Sequence, residues 1–121
     1  AKFDGFEEIQ AWQKAYEVTL GIYRITGEGA FSKDFGLRDQ INEHLIDRAK
    51  IAEGHGRKRN QEFANFLNIA RGSANEVQSH LHSAVGLGYL AKDDFEKLYA
   101  SISEISKMTF SLAKYLRGKA A

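Results

Sequence analysis

Three consecutive cations, Arg57-Lys58-Arg59, stand directly before Asn60, where a helix is expected to begin. A helix N-terminus attracts phosphate through its free backbone N–H groups and its dipole, and neighbouring cations add to that pull. Arg71 follows about three turns further along the same helix. Arg57, Lys58, Arg59 and Arg71 are therefore candidate contacts for RNA or DNA, with affinity that should fall steeply with salt. Repetition around a ring would make such a weak patch multivalent. The competing reading is that three charges in a surface loop are simply solvated.

The four histidines raise a metal reading. Glu76 and His80 are four residues apart, as are Glu43 and Asp47, with His44 three before Asp47. A di-iron bundle, however, needs Glu-x-x-His on two helices plus two further inward glutamates, and that spacing does not occur. His80 and His82 are two apart and point away from each other on a helix. No metal or cofactor is expected. Nucleophilic catalysis fares worse, for the chain has no cysteine and no Gly-x-Ser-x-Gly. Gly54-His55-Gly56 is too short for a phosphate loop and lacks the flanking strand. Glu53 reads as a structural hydrogen-bond acceptor at a helix end. These residues do not predict an enzyme.

The elements that must position them are helices. A length of 121 residues suits one domain, and 43% apolar with 27% charged residues is ordinary for a globular one. Proline is absent, so no helix is broken from within. Seventeen basic and 16 acidic side chains leave a formal charge of +1, which favours protein partners over a dedicated nucleic-acid binder. There is no long apolar run and no signal-peptide core. Together with the missing cysteines, this predicts a cytoplasmic protein without a membrane partner.

Hydrophobic spacing predicts four helices over about 5–26, 33–53, 60–86 and 93–117. The first carries Phe6, Ile9, Trp12, Tyr16, Leu20 and Tyr23 as one stripe, with Asp4 and Glu7 as its capping box. Ser32 is the expected N-cap of the second, Asn60 of the third, and Asp93 or Asp94 opens the fourth. Heptad seams run through Phe63, Leu67, Ala70, Ala74, Val77, Leu81 and Ala84, and through Phe95, Leu98, Ile102, Ile105, Thr109, Leu112 and Leu116. Glycines at 27, 29, 54, 56, 86, 88 and 118 punctuate the ends. Short connections make neighbours antiparallel, so the expected fold is an all-α, up-down-up-down four-helix bundle.

The second helix is the odd member. Its seam from Leu37 and Ile41 lands on His44 and Arg48, while Leu45 and Ile46 sit beside that line. A helix with apolar residues on more than one face packs against two partners, inside and outside the bundle. Trp12, Tyr16, His44, Leu45, Ile46 and Arg48 are accordingly candidates for a protein interface. The aromatic residues could equally finish the core with their polar tips at the rim.

Several runs resemble a known group. They are Phe6-Glu7-Glu8-Ile9, Ala11 to Ala15, Asp34 to Ile41, Ile51-Ala52-Glu53-Gly54, Glu62-Phe63 to Phe66-Leu67, Ile69 to Val77, and Leu87-Gly88-Tyr89-Leu90. Their order is similar to that of the bacterial four-helix-bundle proteins encoded in intervening sequences of the large ribosomal RNA, the S23 family. The resemblance spans nearly the whole chain. It implies a bundle that assembles into a ring, typically a pentamer. It also implies a fold similar to the accessory protein of diversity-generating retroelements, which binds a reverse transcriptase and nucleic acid.

One stretch departs from that pattern. From Asn42 to Lys50 the usual arginine pair is missing, and the segment aligns one residue short. On a helix one residue is a rotation of about 100°, so such a change re-aims all that follows. The concentration of differences reads as a redesigned helix face, by engineering or in a lineage with a changed partner. The leading expectation is a self-associating scaffold; a nucleic-acid accessory protein is the alternative, and a metal-binding bundle the third.

Overall fold

Both long heptad seams become buried faces in the computed structural model, which describes residues 3, 5–43, 48–57 and 59–120. The described helices are α1 (Gln10–Thr26), α2 (Phe35–Glu43), α3 (Arg48–Gly56), α4 (Asn60–Gly86) and α5 (Lys92–Ala120). Short 3-10 turns at Phe6–Glu8 and Phe31–Lys33 precede α1 and α2. The segments α2 and α3 occupy the place of the expected second helix. The five helical segments make an all-α helical bundle.

Every predicted α4 seam residue is buried, and on α5 the same holds for Ile102, Ile105, Thr109 and Leu116. Ala70, Ala74 and Ala84 keep the α4 backbone close to its neighbours. Each fully buried Leu or Ile contributes about 1.5–3 kcal/mol relative to an exposed one. The core has two layers. In one, Ile9 and Ala11 from the start of α1 meet Ile51 of α3, Phe63 and Leu67 from the start of α4, and Leu116 from the end of α5. In the other, Ile22 from the end of α1 meets Ile41, Leu81 and Ile102. Helix starts therefore lie beside helix ends, which is the up-down alternation. Around the bundle, α4 packs on α5 and α3, and α1 packs on α5 and α3.

The outer detail differs from expectation in four places. First, α1 buries Ala11, Ala15, Val18, Ile22 and Thr26, whereas Tyr16, Leu20 and Tyr23 of the predicted stripe are 41%, 40% and 53% exposed. Ala11 and Ala15 permit close helix approach and Val18 and Ile22 fill the core beside them, which leaves Tyr16, Leu20 and Tyr23 on the outside. Second, the caps shift. The helix α1 starts after Ile9 with no side-chain cap, and Arg59 rather than Asn60 holds the cap position of α4. Ser32 does not cap α2; Asp34 does, its Oδ1 accepting from the backbone N–H of Leu37 at 3.1 Å. The expected cap Asp4 lies outside the described residues.

Third, Gly54 does not end a helix. It is buried inside α3, and a Cβ there would lie 2.8 Å from Phe66 Cβ and 2.9 Å from Phe63 Cδ1. Its role is close approach to α4. Fourth, Gly118 does not close the last helix, which continues to Ala120. Gly88, by contrast, ends α4 as expected. At φ +78° it adopts the left-handed conformation. There Tyr89 N–H reaches Ala84 O and Gly88 N–H reaches Val85 O, the paired bonds of a Schellman motif.

Candidate interaction surfaces

On the outside of α1, residues spaced by three and four share one face. Trp12 and Tyr16 stack with ring centroids 5.6 Å apart and planes 2° from parallel, and Phe6 meets Trp12 edge-on at 5.1 Å. From α3, the Arg48 guanidinium lies over the Tyr16 ring at 4.6 Å. A cation over an aromatic face is held by the ring quadrupole. Arg48 Nη1 is buried and meets no hydrogen-bond partner among the described residues. Leu20 and Tyr23 continue the face for two more turns. Of the candidate interface residues, Trp12, Tyr16 and Arg48 therefore come together, and Trp12 is half-buried. His44, Leu45 and Ile46 lie outside the described residues.

The candidate nucleic-acid residues are separated. Arg57 is bonded to Glu53 at 3.5 Å and lies over the Phe66 ring at 5.3 Å. Arg59 is exposed at the start of α4, and Lys58 lies outside the described residues. Arg71 instead covers the Phe110 ring of α5 at 5.0 Å. From Phe66 to Arg71 is five residues, a rotation of about 140° at about 100° per residue. The loop and Arg71 thus belong to different faces of α4.

Arg71 marks a groove that the sequence reading missed. Asn68, Arg71, Gly72 and Asn75 of α4 line it with Phe110 and Arg117 of α5, around a volume of about 320 Å³. Arg117 Nη2 donates to Asn65 Oδ1 at 3.4 Å. With the Asn68 amide oxygen turned toward it, Arg117 also donates to that oxygen at 2.6 and 3.1 Å. A sequence signal existed. Asn65, Asn68, Gly72 and Asn75 recur at three and four, forming an uncharged polar stripe beside a buried seam.

The remaining chemistry is structural. His55 Nε2 donates to the Phe3 carbonyl at 3.1 Å, and its ring edges Phe63, so it ties the N-terminal segment to the end of α3. His82 packs against Phe95 and Tyr99 of α5. Among the described residues, no three His, Cys, Asp or Glu side chains converge as metal ligands. No described helix is long and apolar enough to cross a membrane. A cleft of about 590 Å³ lies between the N-terminal turn and α5, with Phe3, Ile9, Met108 and Leu112 among its mostly apolar lining.

Comparison with known proteins agrees with this architecture. The model of one family, described as 23S rRNA-intervening sequence protein, matches residues 7–111. A solved structure from Bacteroides thetaiotaomicron, a protein of unknown function from the S23 ribosomal protein family, superposes with a TM-score of 0.78 at 25% identity. The match covers 86% of this chain and 95% of that one. No curated protein matches.

Proposed function

The chain belongs to the 23S rRNA-intervening sequence protein family, and from that premise we propose that it is a non-enzymatic scaffold that assembles into a homo-oligomeric, pentameric ring. The observation that carries this reading is the outer face of α1. Tyr16, Leu20 and Tyr23 are large, contiguous and 41%, 40% and 53% exposed, and the Trp12–Tyr16 stack extends them. A contiguous apolar patch rimmed by polar groups marks an interaction site. Aromatic residues and arginine are also the types that dominate interface energetics, and Arg48 lies over the Tyr16 ring with Nη1 buried. The departing segment 42–50 adjoins this face through Arg48, so we read it as the part of the second helix that sets the partner. Light scattering on the full chain at micromolar concentration tests the proposal. The expected mass is five times the 13.6 kDa of one chain, and the mass of a single chain overturns self-association.

A further inference from the structure

The groove between α4 and α5 is lined by cationic and uncharged groups. Its lining offers two guanidinium groups, two carboxamides, a glycine and one exposed aromatic ring, with no carboxylate among them. Phe110 is 51% exposed although Arg71 lies over it. Lys107 and Lys114, three residues before and four after Phe110, are exposed on the same helix face. On α4, Asn65 and Asn68 hold Arg117 across the groove, so its charge is positioned rather than left to a free chain. Gly72 leaves open space in this wall, since a Cβ there would meet nothing within 4 Å.

We propose that this face binds single-stranded nucleic acid, with Arg71 and Arg117 on phosphates, Phe110 as the stacking surface for a base, and Asn75 toward a base edge, while Asn68 holds Arg117. Stacking occupies a face of the Arg71 guanidinium and leaves its edge N–H donors to an anion. An aromatic platform inside a cationic track is the arrangement by which proteins hold single strands with little sequence preference. Asparagine carboxamides match the paired donor and acceptor of a base edge. A duplex hides its bases from such a platform. The absence of a carboxylate from the lining matters equally, since one negative group here would repel the phosphate chain. The formal charge of +1 conceals this face because its cations are offset by carboxylates elsewhere, such as Glu104, which pairs with Lys14 at 2.9 Å. The inference needs only one chain and does not depend on ring assembly.

Fluorescence anisotropy with labelled oligouridine and oligothymidine single strands tests it, using the full chain at two salt concentrations. Binding should weaken as salt rises and should exceed binding to a duplex of equal length. Arg71→Gln with Arg117→Gln should lower affinity by about tenfold or more, and Phe110→Leu by about tenfold, the scale of one lost stack. Arg57→Ala, on the other face, should change affinity less than about twofold. Similar affinity for the two strands, or preference for either, fits the proposal, because phosphate and base are common to both. Circular dichroism of each variant separates lost binding from lost fold; all these side chains lie at the surface. Tighter binding to duplex overturns the proposal, as does undiminished binding after Phe110→Leu and the double arginine change.

Discussion

The Tyr89 hydroxyl donates a 2.9 Å hydrogen bond to Asp34 Oδ2, while Asp34 Oδ1 caps α2 through the N–H of Leu37. One carboxylate thereby joins the α4–α5 connection to the start of the second helix, 55 residues away. Gly88 directs the chain so that Tyr89 reaches it, and Phe31 stacks on the Tyr89 ring at 5.4 Å. The bond to Asp34, then desolvation, then the carboxylate charge raise the Tyr89 pKa above the ordinary value of 10.0.

The sign of the pH effect follows. A phenol whose folded pKa is raised is favoured in its neutral form, so its contribution to stability is present below about pH 10 and is lost as pH rises through the higher folded value. Ultraviolet titration should place the ionisation of Tyr89 above the ordinary tyrosine value. Asp34→Asn keeps a good cap and should bring Tyr89 back toward that value. Asp34→Ala also loses the cap, at a cost of about 0.5–2 kcal/mol in urea unfolding.

Gly54 provides a second test. Alanine at an exposed helix interior would gain about 1 kcal/mol over glycine. Here its Cβ would fall 2.8 Å from Phe66 Cβ, and overpacking of this kind costs about 1–3 kcal/mol. Gly54→Ala should therefore destabilise the protein, whereas Gly72→Ala, with nothing within 4 Å, should stabilise it. Denaturant midpoints of the two variants should move in opposite directions.

The inward face of α1 gives a third. Ala15 is fully buried and Tyr16 is 41% exposed. Ala15→Leu should cost about 1–3 kcal/mol by overpacking, while Leu81→Ala in the α4 seam should cost about 2–5 kcal/mol through the cavity it leaves. Leu20→Ser, on the outer face, should change the stability of the isolated bundle by less than about 0.5 kcal/mol. Chemical denaturation at concentrations below assembly distinguishes the three.

How much of this was legible in the sequence depended on the helix. On α4 and α5 the residues of the predicted seams, alanines included, are buried or half-buried, so periodicity located the core even though Ile69, Phe110 and Tyr115 lie outside it. On α1 it did not. The large side chains Trp12, Tyr16, Leu20 and Tyr23 mark one stripe, yet packing buries Ala11, Ala15, Val18 and Ile22, where the two alanines allow close approach and the two aliphatic residues fill the core. Gly54 was misread for the same reason: a glycine at a helix–helix contact and a glycine at a helix end look alike until the neighbour is placed. The α4–α5 groove was harder still. Its residues come from two helices, and which height on α5 faces Arg71 is set by the register of packing rather than by either stripe alone. Arg57, in the loop before α4, and Arg71, about three turns into it, meet different faces because Phe66 and Arg71 are about 140° apart around that helix.

Self-association through the outer face of α1 is the central claim, and comparing the solution mass of the native chain with that of the Tyr16→Ser, Leu20→Ser, Tyr23→Ser variant tests it most directly. The account predicts five times 13.6 kDa for the native chain and a single-chain mass for the variant, with equal helical circular dichroism. A native chain that stays single, or a variant that assembles to the same mass, would contradict it.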